Sequence, residues 1–244
     1  MKKALSALAL LSVTALPATV SDAATTSTAV ATPALATLSA DQVASLSLAN
    51  ATKVGVCTSS SLGHAAGYTF NPTTYSSARS AQQTLSVNKA TGVARLVDGV
   101  LYVRLSAKII DLQFAKNDPR YANTWISIPP TDKEFPSISS GLLFSSMLSQ
   151  VRPTGHLKKT PVTVVDGVTS LGLSGLANAE LGLTGASETL YVTVAAPHLP
   201  VELLAAGRSQ GVPTTLVVTF SRWGRRLNVA VPAHALPISS TTLN

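Results

Sequence analysis

The chain has 244 residues, 45% of them apolar and 12% charged, with a formal charge of +7 and one cysteine. A soluble domain of about 200 residues buries most of its core without covalent staples, and a single cysteine excludes both an intrachain disulfide framework and a cysteine-based zinc site. Basic residues are scattered, with small groups at Lys158-Lys159 and Arg222/Arg225/Arg226, and no basic run interleaved with aromatics marks a nucleic-acid module.

Lys2 and Lys3 precede an apolar run from Ala4 to Leu16 that is too short to span a bilayer. Ser21-Asp22-Ala23 then places small residues where a signal peptidase reads. The expected division is a secretory signal peptide over residues 1–23, a disordered Ala/Thr/Ser/Pro linker over 24–37, a single domain over 38–236 and a flexible tail over 237–244. The alternative for the first segment is a retained anchor helix. Cleavage would put the mature chain outside the cytoplasmic membrane, secreted or in the cell envelope. No cysteine directly follows the signal to take a lipid anchor. Cys57, far downstream, is expected to be a small buried hydrophobe, with an intermolecular disulfide as the alternative.

Ser39 opens a helix, with Gln42 completing a capping box and Leu38 placed to staple onto Val43. Val43, Leu46 and Asn50 lie along one side, and the helix ends before Gly55. Residues 55–92 carry little signal; residues 81–88 alternate weakly and read as a polar edge strand. Val93–Val97 and Val100–Leu105 flank Asp98-Gly99, a strong two-residue hairpin signal. Residues 106–123 read as an inserted loop, either an entrance lid or a surface excursion. Residues 137–151 predict one helix with an apolar stripe of Ile138, Leu142, Leu143, Met147, Leu148 and Val151.

From Val162 to Pro232 the chain reads as an antiparallel meander with one buried face. Leu190, Val192 and Val194 share one face of their strand. Leu216, Val218 and Phe220 do so in the next, and Leu227, Val229 and Val231 predict a last strand. Asp166-Gly167, Pro197, Gly207 and Gly224 punctuate the runs.

These stretches resemble a known family. Asp166-Gly167-Val168, Thr189-Leu190-Tyr191-Val192, Leu199-Pro200-Val201 and Phe220-Ser221-Arg222-Trp223-Gly224, in that order and spacing, are similar to the C-terminal half of the LppX/LprG-type cell-envelope lipoproteins of mycobacteria and other actinobacteria. Asp98-Gly99-Val100 to Leu105 with Thr124–Pro129 resembles an earlier strand pair of the same proteins. The resemblance implies an α+β fold: a strongly curved antiparallel β-sheet, a LolA/LolB-like half-barrel, with helices packed on its concave side. It also implies non-covalent carriage of an acylated lipid or glycolipid in a cavity between sheet and helices. The cavity wall expected from alternation and family position is Leu142, Leu143, Met147, Leu148, Leu190, Val192, Val194, Leu216 and Val218.

No chemistry of another kind stands out. His64, His156, His198 and His234 sit in unrelated contexts, metal ligands at short spacing are missing, and Gly172–Leu176 lacks the second glycine of a nucleophile elbow. No enzyme, cofactor, metal or catalytic residue is expected. The basic excess serves solubility or attracts an anionic membrane surface or cell-wall components, and the protein is expected to be a monomer. The competing function is an envelope interaction or sensor module that binds a protein or cell-wall partner through Trp223, Arg222, Arg225 and Arg226.

Overall fold

Helix α1 (Ala40–Val54) begins where the sequence places its cap. Ser39 Oγ accepts from Gln42 N–H at 3.2 Å, and Gln42 Oε1 accepts from Ser39 N–H at 2.7 Å. Gly55, in the left-handed region at φ 70°, turns the chain out of the helix. The face that α1 buries is Ala40, Val43, Ala44, Ser47 and Ala51, whose small side chains let the helix lie close to the sheet; Leu46 and Leu48 pack only partly. In this computed structural model the described residues are 35–65, 67–113, 119–132 and 135–237. The expected signal peptide, most of the expected linker and residues 238–244 lie outside them. Leu35 is buried, and Lys159 Nζ donates to Leu35 O at 2.7 Å, so packing reaches back to residue 35.

The strands are β1 (Val56–Ala65), β2 (Tyr68–Phe70), β3 (Thr73–Ser77), β4 (Ala81–Val87), β5 (Ala90–Val97), β6 (Val100–Leu105) and β7 (Ile126–Ile128), then β8 (Thr154–Val165), β9 (Val168–Leu176), β10 (Thr184–Thr193), β11 (Pro200–Ser209), β12 (Val212–Ser221) and β13 (Leu236–Pro237). Between them lie α2 (Ala107–Gln113), α3 (Phe135–Ser140), α4 (Phe144–Gln150) and two 3₁₀ turns, Pro119–Tyr121 and Ala179–Leu181. Among the described residues the thirteen strands form one sheet in the order β13-β7-β6-β5-β4-β2-β1-β12-β11-β10-β9-β8, with β3 paired to β1 and β4. Pairing is antiparallel except for β13 beside β7. The fold is thus α+β, a large curved antiparallel sheet with helices on its concave face, as expected.

Four hairpins close on two residues with positive φ at both: Asn88-Lys89, Asp98-Gly99, Asp166-Gly167 and Gln210-Gly211. That geometry matches the right-handed twist of the flanking strands. Meander rows then fall in register. Val218, Leu203, Leu190 and Leu173 stand side by side on the concave face of β12, β11, β10 and β9. There they meet Val43, Ala44 and Ala51 of α1 and Phe144 and Leu148 of α4 in the main core. Leu96, Leu101, Val103, Ile126 and Ile128 form a second cluster in the other half of the sheet.

Several expectations are corrected. Residues 81–88 do not form an edge: β4 is paired on both sides, to β5 and to β2 and β3. The helix expected over 137–151 is two, broken at Gly141-Leu142-Leu143. The break sends Leu142 into the second cluster while Phe144 and Leu148 enter the main one, and Ser76 Oγ satisfies the freed Leu142 carbonyl at 2.9 Å. One straight helix could not feed both cores. Finally, Leu227–Pro232 makes no strand. The segment crosses the convex face, where Val229 packs on Val56, Tyr75 and Val97, and Arg95 donates to Ala230 O at 3.0 Å. Leu227 and Val231, the flanking members of the alternation, are left exposed. Residues 106–123, expected as a loop, carry α2, whose Ile109 and Ile110 pack under Ala90 and Leu105; residues 114–118 lie outside the described set.

Candidate functional site

The middle of the sheet is built from small residues. On the concave face of β1 stand Cys57, Ser59, Ser61 and Gly63, and on β3 beside it Thr74 and Ser76. Their cross-strand partners on β12 are large: Phe220 opposite Ser59, Val218 opposite Ser61, Leu216 opposite Gly63. Small side chains over two or three strands leave space beneath the helices that larger ones would fill. Gly63 matters further, because a Cβ there would collide with the Phe70 ring, which lies across it from β2.

The space is a cleft with a cavity volume of about 100 Å³, inside a wider recess of about 1040 Å³ that includes its open mouth. Phe70, Leu85, Leu203, Leu216 and Val218 form its sheet wall, Met147, Gln150 and Val151 its helix wall, and Leu181 and Leu183 its end. The smaller figure bounds what is enclosed without movement: a segment of one acyl chain. The larger one marks the room toward solvent.

Of the wall expected from the sequence, Met147, Leu216 and Val218 line this cleft. Leu148, Leu190 and Val192 lie nearby in the filled main core, the last two with no exposed surface. Leu142 and Leu143 belong to the second cluster. Val194 is 37% exposed, beyond the strand end. Gln150, Phe70, Leu181 and Leu203 were not anticipated. The available signal was the period-2 run of small residues, Cys57-Ser59-Ser61-Gly63, in a stretch that carries little other pattern.

Two buried groups flank the cleft. Cys57 Sγ lies 3.8 Å from Met147 Sδ, and burial pushes its thiol up to about 12. Native Cys57 is therefore expected to resist iodoacetamide at about pH 8 and to be labelled only as urea unfolds the chain, read as one added carbamidomethyl by mass spectrometry. Glu188 is 1% exposed on the same face, in the row of Ala205 and Leu216. Its Oε2 accepts from Asn178 N–H at 2.8 Å, while Oε1 has no hydrogen-bond partner. Burial pushes its carboxyl up to about 7, although the Asn178 bond favours the charged form. Asn178 Nδ2 also donates to Ser149 O at 2.8 Å, so one residue ties Glu188, α4 and the Leu181 end of the cleft together.

The basic-aromatic group of the competing function is only partly a surface. Trp223 meets Phe144 edge to face with ring centroids 6.2 Å apart, and its Nε1–H donates to Pro200 O at 3.1 Å. Arg222, Arg225 and Arg226 around it are exposed. Trp125 instead carries two guanidinium groups, Arg95 at 5.0 Å and Arg104 at 5.1 Å from its ring centroid. Among the described residues no group of three or more His, Cys, Asp and Glu converges on one point.

No family model matches the chain, and no curated protein matches it in sequence. Solved structures similar to it include LprF from Mycobacterium bovis, 12% identical with a TM-score of 0.49, covering 80% of this chain and 97% of that one. A DUF1329 family protein from Desulfovibrio piger is 10% identical, TM-score 0.32, with 84% and 99% covered. The Pseudomonas aeruginosa MucA/MucB complex gives 12% identity, TM-score 0.35, with 84% and 60% covered. These are likenesses of backbone.

Proposed function

We propose that the protein binds an acylated lipid or glycolipid outside the cytoplasmic membrane, holding acyl chain in the cleft between β1, β3 and β12 and helix α4. The observation that carries this is the lining: apolar walls, small hydroxyls and the two amides of Gln83 and Gln150, with no Asp, Glu, Lys, Arg or His among them. Such a space offers an acyl chain about 0.8 kcal/mol for each methylene removed from water and offers a charged ligand no counter-ion. Headgroup and any further chains would extend through the open mouth. The motif resemblance to LppX/LprG-type proteins is consistent with this role.

Native mass spectrometry with lipid extraction tests it, on residues 24–244 exported from an actinobacterial host. A stoichiometric lipid is expected to co-purify. A folded, ligand-free protein that also rejects added phospholipid and glycolipid would refute the proposal and favour a protein-binding module.

A further inference from the structure

The face of the sheet opposite the cleft carries two positive charges with nothing negative beside them. Arg95 on β5 and Arg104 on β6 stand on the convex side, and both guanidinium groups lie over the Trp125 ring, 5.0 Å and 5.1 Å from its centroid. They are therefore within about 10 Å of each other, one Debye length at about 0.1 M salt, and repel. Neither has a carboxylate partner among the described residues. Their cross-strand neighbours on that face, Gln82, Thr84, Val93, Tyr102 and Ser127, are uncharged. Arg95 is held in place: its Nε donates to Gln82 Oε1 and its Nη1 to Ala230 O, each at 3.0 Å. Arg104 is exposed and makes no hydrogen bond to a described residue. Apolar side chains complete the patch. Val231 follows the carbonyl that holds Arg95 and is 54% exposed, and Leu236, whose N–H donates to Trp125 O at 2.9 Å, is 44% exposed.

We propose that this convex patch docks the protein reversibly onto an anionic lipid bilayer, the two guanidinium groups meeting headgroup phosphates and Trp125 lying at headgroup level with Val231 and Leu236 beside it. Charge complementarity decides the occupant. A negative surface relieves the repulsion within the arginine pair, and each arginine brought to such a surface raises affinity about fivefold. An indole favours the boundary between water and hydrocarbon, and exposed aliphatic side chains next to it find partners in lipid. A soluble polyanion would satisfy the arginines and leave Val231 and Leu236 in water. The Trp125 ring, Gln82 and the Ala230 carbonyl fix the guanidinium groups beforehand, so little side-chain freedom is left to lose on docking. This goes beyond the lipid-binding proposal above. The cleft lies on the concave face, so docking neither fills nor blocks it.

Co-sedimentation of the folded chain with vesicles tests this, using phosphatidylcholine with and without about one third phosphatidylglycerol at about 0.1 M salt. The anionic vesicles are expected to bind at least about tenfold more tightly than the neutral ones, and to release the protein at about 0.5 M salt. Arg104→Gln is expected to weaken binding about fivefold and Arg104→Glu further, with circular dichroism showing the same fold, since that side chain is exposed. Tryptophan emission is expected to shift to the blue on anionic vesicles in the parent and not in Trp125→Phe, because Trp223 is already packed against Phe144. Equal binding to both vesicles, binding to neither, or parent-like binding by Arg104→Glu overturns the docking face. Anionic binding without a blue shift, competed off by soluble polyphosphate, identifies a polyanion site and overturns membrane docking. Each of these results leaves the cleft proposal standing, because lipid retained in the cleft is read separately by native mass spectrometry.

Discussion

Glu188→Gln is expected to make the protein more stable at about pH 8, by up to about 3 kcal/mol, and to change little at about pH 4. The carboxyl is buried on the concave face, and burial lifts it from an ordinary 4.5 to about 7. The folded chain therefore holds this proton more tightly than the unfolded chain does. The stability linked to it is fully present below about 4.5, declines as pH rises toward 7, and is gone above that. Glutamine is neutral throughout and its carbonyl can still accept from Asn178 N–H, the bond that Oε2 accepts at 2.8 Å in the parent. Glu202 is also shifted upward, by burial and then by Asp166, and is present in both chains. The difference between parent and variant removes its contribution. Urea unfolding at several pH values from 4 to 8 reads the effect. Two parallel stability curves would show that Glu188 is solvated or charge-paired in solution.

Much of the sheet was legible because its residues obey the period of two and its turns are chemically marked. Asp98-Gly99 and Asp166-Gly167 announce their hairpins, and the Leu190 and Leu216 strands alternate as a half-buried sheet must. Asn88-Lys89 and Gln210-Gly211 make the same kind of turn with less distinctive residues. Two of the failures share a cause: tertiary packing assigned an apolar pattern to two partners or to none. The stripe over 137–151 serves two cores, which breaks the helix. The alternation over 227–231 buries only Val229 against the convex face, and among the described residues it pairs with no strand. The candidate site was harder still. Periodicity finds large residues that fill a core, whereas the cleft is made by small ones, at Ser59, Ser61 and Gly63, that fail to. Alternation placed Leu190, Val192, Leu216 and Val218 on one face equally, and only the strands opposite decide which of them border empty space.

That distinction between bordering space and filling it gives the other large effect. Leu216→Trp is expected to abolish retention of the co-purified lipid and to leave the ligand-free protein as stable as the parent or up to about 2 kcal/mol more so. Leu216 is half-buried and lines the cleft opposite Gly63, so an indole can extend into existing space. Excluding even three methylenes of an acyl chain removes about 2.4 kcal/mol of burial, roughly fiftyfold in affinity. Filling an empty apolar cavity of about 100 Å³ recovers a term on the order of 24 cal/mol per Å³, less the ordering of the new side chain. Leu190→Trp is the contrasting change. Leu190 has no exposed surface and stands in the packed row between Leu173 and Leu203, so the same indole overfills a core and should destabilise or unfold the chain. Thermal unfolding and native mass spectrometry on both variants separate the cases. If Leu216→Trp unfolds as Leu190→Trp does, position 216 is core and the cleft closes in solution. If it folds and still carries lipid, the chain lies elsewhere. A stable, empty Leu216→Trp protein would show that the small residues of β1 and β3 trade stability for a place to put a ligand.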